Sequence, residues 1–304
     1  MFQPDSDIQR SSTLAAFLHD CGVDTYGDLA RRANDDPEWF WGRVIDYAGI
    51  RFSRPYTQLR DISDGPESIK WAVGGALNLT ETCLDARIEG GLGEKIAIDW
   101  VGEDGSRSSW TYTELADEAA RVAAALAQRG VKPGQAVGIY MPMIPEIQAA
   151  LLGIARLGAV AVPLFSGFAP HAIISRLNDA EAVAVLTADA SPRRGTPVWM
   201  EAKLAEALKE VPSAHTVISL RRFGGAVADP ARDLDWAETV GTASPNFPAV
   251  PVKADDSFLI AYTSGTTGQP KGVVHTHLGV QAKATADFLL CLDMKRDDRH
   301  LWMT

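Results

Sequence analysis

The chain has few cysteines, and they lie far apart. Only Cys21, Cys83 and Cys291 occur in 304 residues, and none belongs to a C-x-x-C pair. This scarcity excludes a disulfide scaffold, a zinc knuckle and a redox dithiol. Sparse, unpaired cysteines are typical of a reducing compartment, so we expect a cytoplasmic protein.

Signal-peptide features and long apolar runs are also missing. The first residues lack the basic and apolar regions of a signal peptide. The most apolar stretch, residues 149–165, contains Arg156 and Pro163. It fits a helix followed by a strand better than a membrane span, so we expect no membrane partner.

Positive charge is in deficit. There are 29 Lys and Arg residues against 39 Asp and Glu, a formal net charge of −10. An acidic surface repels a phosphate backbone, so we expect no nucleic-acid partner. An anionic ligand would therefore need a locally arranged site.

The remaining composition is that of a folded protein. Hydrophobic residues make up 46% of the chain and charged residues 22%, which excludes disorder over most of it. The length leaves room for about two domains. Residues 1–90 are rich in Trp, Asp and Arg, and we expect a mainly helical extension there. Within it, Asp36 followed by Pro37 predicts a helix start.

Strand and helix patterns alternate from about residue 95 onwards. Predicted strands cover residues 96–101, 106–112, 136–140, 159–163, 182–187, 216–220 and 257–262. One predicted helix begins at Thr111, and four others cover residues 145–157, 171–180, 200–210 and 279–292. Short connections between such elements predict an α/β fold, a mostly parallel sheet with flanking helices. Residues 221–256, rich in Gly and Pro, indicate a long surface connection.

A glycine- and hydroxyl-rich loop follows the last predicted strand. It reads TSGTTGQPKG from Thr263 to Gly272. Its glycines let the backbone approach a ligand closely, successive N–H groups can form an anion-binding nest, and Lys271 adds a positive charge. These are the parts needed to hold a polyphosphate. The spacing differs from the G-x-x-x-x-G-K-[ST] loop, and a loop that binds no ligand is the alternative.

The full string from Tyr262 to His275 resembles the phosphate loop of the AMP-forming acyl-adenylating superfamily. More than ten consecutive positions fit. The resemblance implies that ATP phosphates are bound by Thr263, Ser264, Gly265, Thr266, Thr267, Gly268 and Lys271. It also implies Mg²⁺ bridging the phosphate oxygens. His275 and His277 could be two metal ligands, but no third is in view, so we expect no protein metal site.

Residues 71–78, WAVGGALN, and 83–85, CLD, resemble the leading segment of acetyl-CoA synthetases. The resemblance runs from about residue 39 to residue 304. It implies an extension over residues 1–90 and the first part of an adenylation domain over residues 91–304. The fold class expected is thus an incomplete large N-terminal domain of an adenylate-forming enzyme, preceded by the helical extension.

A small basic turn, Pro192-Arg193-Arg194-Gly195, follows a predicted strand. By residue type alone it could be a solvated charged loop. In acetyl-CoA synthetases the corresponding turn contacts the CoA nucleotide, as does the turn matching Gly167. The resemblance therefore implies CoA contacts at Gly167, Arg193, Arg194 and Thr196. Thr196 stands where relatives often carry a basic residue, and Met200 and Glu201 replace a frequent Leu-Lys.

The family reaction converts a carboxylate, ATP and CoA into acyl-CoA, AMP and pyrophosphate. In the family, the acyl pocket, the nucleoside-binding elements, a metal-binding Glu and a C-terminal lid domain with a catalytic Lys all lie beyond the position of Thr304. We therefore expect no catalytic residue in this chain and no activity from it alone. It could be a fragment, a truncated gene product, or half of a split enzyme with a complementing C-terminal chain.

Several functions stay open at this point. The first is an AMP-forming acyl-CoA synthetase that activates a short-chain carboxylate such as acetate. Another adenylate-forming ligase, or a non-catalytic nucleotide-binding or interaction module, are alternatives. A phosphotransferase, which would release ADP, is disfavoured because the Walker spacing is absent.

Overall fold

A computed structural model describes residues 6–225, 229, 231–263 and 270–301. These residues fall into two units. The first lies within Met1–Leu77, Lys253–Asp255 and His277–Thr304, and the second within Asn78–Val252 and Asp256–Thr276. Within the described ranges, no helix is long and apolar enough to cross a membrane.

The helices and strands are named in chain order. The helices are α1 Ser6–Ser11, α2 Thr13–Cys21, α3 Tyr26–Asp35, α4 Pro37–Ala48, α5 Tyr112–Gln128, α6 Pro145–Arg156, α7 Pro170–Asp179, α8 Glu201–Leu208, α9 Trp236–Thr239 and α10 His277–Ala284. The strands are β1 Gln58–Asp61, β2 Lys70–Val73, β3 Ala76–Leu77, β4 Ile96–Val101, β5 Arg107–Thr111, β6 Ala136–Tyr140, β7 Val160–Leu164, β8 Ala184–Ala188, β9 Ala190–Arg193, β10 Thr196–Trp199, β11 Thr216–Leu220, β12 Asp233–Asp235, β13 Val252–Lys253, β14 Ser257–Thr263 and β15 Lys271–Thr276. Wider π-helical turns occupy Glu81–Asp85, Ile88–Leu92 and Thr285–Cys291.

The first unit is mainly helical, as predicted for the N-terminal extension. The predicted helix start at Asp36 is confirmed, since its carboxylate accepts a hydrogen bond from the backbone N–H of Trp39 and Pro37 lies in the first turn. Phe17 is fully buried and meets Phe40 edge-on at 6.4 Å. Aromatic packing of this kind stabilises a small helical core beyond simple burial of area.

The second unit contains a seven-stranded sheet in the order β12-β11-β8-β6-β7-β14-β15. Each neighbouring pair from β12 to β14 is parallel, and β15 alone pairs antiparallel. The predicted mostly parallel α/β fold is therefore confirmed.

Helices cover both faces of this sheet. On one face α5, α6 and α9 bury an apolar cluster that includes Val122, Ile154 and Trp236. On the other, α7 and α8 bury one that includes Leu177 and Leu204. The predicted start of α5 is also present: the Thr111 hydroxyl accepts from the Glu114 N–H, and the Glu114 carboxylate accepts from the Thr111 N–H. This reciprocal cap satisfies two helix-end donors.

Two residues from the segments that resemble acetyl-CoA synthetases, Asn78 and Asp85, contact α6 and the chain beside it. The Asn78 side chain is fully buried and donates to the carbonyls of Ala155 and Val250, at 2.7 and 2.9 Å. Asp85 forms an ion pair with Arg156, at 3.0 Å. Buried polar groups need such partners, so Asn78 and Asp85, which both belong to the second unit, are fixed against the end of α6 within that unit.

The structure differs from the sequence predictions at several elements. Strands β1 and β2 pair antiparallel inside the extension, where few strand signals were seen. The connection over residues 221–256 contains α9 and also β12, which extends the sheet. β12 has only three residues, too few for a periodic pattern to be visible. The predicted boundary near residue 90 between extension and adenylation domain stays a prediction.

Candidate functional site

The order of the strands creates a switch point at β6. The chain moves from β6 to β7 on one side and then crosses to β8 on the other side. Connections that leave adjacent strands in opposite directions open a crevice beyond their carboxyl ends, where α/β proteins place their ligands. The turns after β7, β8 and β14 all belong to this edge of the sheet.

The phosphate-binding loop predicted from the sequence connects β14 to β15. Thr263 ends β14 and lies opposite Lys271, the first residue of β15. The Thr263 hydroxyl donates to the Lys271 carbonyl at 3.5 Å, and both residues are exposed. The strand pair thus places Thr263 and Lys271 side by side where the loop leaves the sheet and returns. The predicted residues Ser264, Gly265, Thr266, Thr267 and Gly268 lie outside the described residues.

The turn after β7 contains Gly167, predicted to contact CoA. A Cβ on Gly167 would lie 2.5 Å from the ring of Phe165, so only glycine allows this close approach. Phe165 is 56% exposed and meets Phe168 edge-on, with ring centroids 5.7 Å apart. An exposed ring fixed in this way offers a flat apolar surface for a stacking partner.

The basic turn after β8 is a β-hairpin formed by β9 and β10. Arg194 and Gly195 form its tip, both with positive φ, at 52° and 75°. The Arg193 guanidinium lies 5.5 Å from the centre of the Phe165 ring, a cation–π contact. The structure therefore brings Arg193 to the Gly167 turn, although the two are 26 positions apart in sequence.

Arg194 and Thr196 are placed less directly. Both are exposed, and Thr196 lies opposite Arg193 across the hairpin. The backbone N–H of Arg194 donates to the carboxylate of Glu103, in the turn between β4 and β5. Because Arg194 is a non-glycine residue in the left-handed region, this bond helps to hold a strained tip.

A buried carboxylate lies beneath the hairpin. Asp189 is fully buried and accepts four backbone N–H bonds of 2.8–3.1 Å, from Ala190, Arg222, Phe223 and Gly225. Burial alone would raise the pKa of Asp189, but the four donors together hold that pKa below its ordinary value. A charged Asp189 therefore joins the end of β8 to the loop after β11.

The sequence analysis assigned no role to three residues of this region, namely Phe165, Glu103 and Asp189. Phe165 adjoins the glycine turn that was singled out, so an aromatic two residues before it was a usable signal. Glu103 and Asp189 act through backbone groups distant in sequence, which residue types alone do not indicate. No group of three His, Cys, Asp or Glu side chains suited to a metal ion occurs in the part of the chain that is described.

The fold and the phosphate loop define a class of protein, and residues 86–304 match the AMP-binding enzyme family. The chain belongs to this family. Residues 26–83 match a second family, the acetyl-coenzyme A synthetase N-terminus.

Individual relatives are similar across most of the chain. It is 38% identical to the acetyl-coenzyme A synthetase of Mycobacterium bovis over 281 residues, which covers 91% of this chain and 43% of that protein. It is 39% identical to that of Syntrophobacter fumaroxidans over 259 residues, covering 84% and 39%. The chain thus spans less than half the length of these curated relatives.

A solved structure with the same fold is acetoacetyl-CoA synthetase from Streptomyces lividans. The TM-score is 0.91 at 29% sequence identity, over 99% of this chain and 47% of the other.

Proposed function

We propose that the natural protein containing these residues is an AMP-forming acyl-CoA synthetase that activates a short-chain carboxylate such as acetate. The observation that carries the proposal is the β14–β15 pair, which places Thr263 and Lys271 side by side at the carboxyl edge of the sheet. The acetyl-coenzyme A synthetases among its relatives support the substrate class.

In this proposal the loop binds the β- and γ-phosphates of ATP. Thr263, Ser264, Thr266 and Thr267 supply hydroxyl groups, Gly265 and Gly268 allow close backbone approach, and Lys271 neutralises the charge of the leaving pyrophosphate. Mg²⁺ bound with ATP would offset part of the negative charge on its phosphates, beside Thr263 and Lys271. Such chemistry depends mainly on positioning and charge stabilisation.

CoA is proposed to bind at the turn after β7 and the hairpin after β8. Gly167 keeps the space beside Phe165 open, and Arg193, Arg194 and Thr196 supply charge and hydrogen bonds for a nucleotide phosphate. The exposed face of Phe165 suits the purine ring of CoA by stacking. A cytoplasmic location, where free CoA and ATP are available, is part of the same proposal.

The proposed reaction has two balanced steps. A carboxylate oxygen attacks the α-phosphorus of ATP, forming acyl-AMP and releasing pyrophosphate. The thiol of CoA then attacks the acyl carbonyl, loses its proton, and releases AMP as the acyl–phosphate oxygen bond breaks. The residues of this chain bind and orient ATP and CoA in both steps.

Exchange of labelled pyrophosphate into ATP tests the first step. The natural protein containing the chain should catalyse this exchange only when a short carboxylate is added, and acetate should support it best. The panel should include acetoacetate as a second candidate substrate, because the chain is similar in structure to the acetoacetyl-CoA synthetase of Streptomyces lividans. Exchange with none of the short carboxylates would contradict the proposal, and ADP as product would indicate a phosphotransferase.

A further inference from the structure

Helix α7 carries one charged side chain, Arg176, that contacts both Phe168 and Tyr262. Arg176 is only 9% exposed. Its Nη1 donates to the Ala172 carbonyl at 2.8 Å, whereas its Nε is buried and has no hydrogen-bond partner among the described residues. Burying a guanidinium with an unsatisfied donor is costly, so its contacts elsewhere must offset that cost.

The first of these contacts is on the CoA side. The Arg176 guanidinium carbon lies 4.4 Å from the centre of the Phe168 ring, the stronger of its two aromatic contacts. Phe168 directly follows Gly167, and its ring also fixes Phe165 edge-on. A cation held against Phe168 thereby supports the turn that is proposed to receive CoA.

The second contact is on the ATP side. The same guanidinium lies 5.8 Å from the centre of the Tyr262 ring. The Tyr262 hydroxyl donates to the Asp179 carboxylate at 2.6 Å, so two residues of α7 hold this tyrosine. Tyr262 is the residue before Thr263, where the phosphate loop begins.

Two different turns are therefore supported by one helix. We propose that Arg176 is a positioning residue for both the ATP-binding loop and the CoA-binding turn, whereas Asp179 positions the ATP-binding loop alone. Arg176 acts through Phe168 on one side and through Tyr262 on the other. The inference rests on the proposed function for the identity of the two ligands, and its test measures binding separately from turnover.

Equilibrium titration of the natural protein with ATP and with CoA separates the two roles. Arg176→Met should raise both dissociation constants by about threefold to thirtyfold, the range of a lost cation–π contact. Asp179→Asn and Tyr262→Phe should raise only the constant for ATP, by about threefold to tenfold. Ser175→Ala is the matched control, because the exposed Ser175 hydroxyl donates to the same Ala172 carbonyl.

The outcomes are distinct. A folded Arg176→Met variant that binds either nucleotide as tightly as the wild type would overturn the inference, and so would a Ser175→Ala variant that weakens both. If Arg176→Met does not fold, Arg176→Gln, which also removes the charge, is judged by the same two constants. If the wild type binds both nucleotides but shows no carboxylate-dependent pyrophosphate exchange, the proposed function is contradicted and the inference about Arg176 is not. Failure of the wild type to bind either nucleotide would refute both.

Discussion

Lys271 is the single charge on which the proposed adenylation depends most. It begins β15 beside Thr263, in a chain whose formal net charge is −10. Replacing it by Ala should slow carboxylate-dependent pyrophosphate exchange by about tenfold or more, since about 1.4 kcal/mol of lost transition-state stabilisation is a factor of ten. The rate of exchange at saturating ATP is the quantity to measure.

A matched variant controls for loss of charge alone. Lys209→Ala removes an exposed lysine at the end of α8 and should leave exchange unchanged. Lys271→Arg, which keeps the charge, should lose less activity than Lys271→Ala. Unchanged exchange in Lys271→Ala would assign this lysine another role.

A side chain at position 167 should leave folding nearly unchanged but weaken CoA binding. A Cβ there would meet the exposed ring of Phe165, which would turn into solvent and lose its edge-on contact with Phe168, a cost of about 0.5–1.5 kcal/mol that is too small to prevent folding. Gly167→Val should therefore raise the KM for CoA by about tenfold while leaving pyrophosphate exchange nearly unchanged.

Gly90→Ala serves as the control, since a Cβ at Gly90 would meet nothing within 4 Å. It should alter neither parameter. An unchanged KM for CoA in Gly167→Val would argue against CoA binding at this turn.

At the scale of elements, Asp189 holds two loop segments together by its charge. One carboxylate oxygen accepts from Ala190 and Arg222, and the other from Phe223 and Gly225. Asparagine would direct an NH₂ group at two N–H donors. We expect Asp189→Asn to lower the free energy of unfolding by about 2–4 kcal/mol at pH 7.

The pH dependence of this loss has a definite sign. The pKa of Asp189 is lowered in the folded state. Its contribution to the free energy of unfolding is therefore complete above about pH 4, the pKa of an unperturbed Asp. That contribution is lost as the pH falls through the pKa of the folded state. The difference between wild type and Asp189→Asn in urea unfolding should shrink below about pH 4. A difference that stays constant down to pH 2 would rule out the charge as its origin.

The elements that sequence patterns predict well are those with a strong local signal. β6, β11 and the start of α5 match their predicted positions because apolar runs and a capping box specify them locally. The sequence of β15 shows apolar residues after the loop, but no local pattern predicts that this strand pairs antiparallel with β14. Pairing depends on contacts between segments, which no single stretch of sequence contains.

At the scale of the whole molecule, the candidate site is formed by turns far apart in the chain. The motif strings alone single out Thr263, Lys271 and the turn at Gly167. Only the strand order brings Arg193 against Phe165, because β8 and β7 lie on opposite sides of β6. The supporting contacts of Asp189 and Arg176 are likewise products of topology, so residue types gave no sign of them.

The central claim is that a carboxylate oxygen attacks the α-phosphorus of ATP at this site. Acetate labelled with ¹⁸O in both carboxylate positions tests it directly, in a turnover of the natural protein with ATP and CoA. Mass spectrometry should find one ¹⁸O atom in each AMP released and none in pyrophosphate, because the bridging oxygen of acetyl-AMP stays with phosphorus when the thiol attacks. Label in inorganic phosphate with ADP as co-product, or acetyl-CoA formed beside unlabelled AMP, would contradict the account.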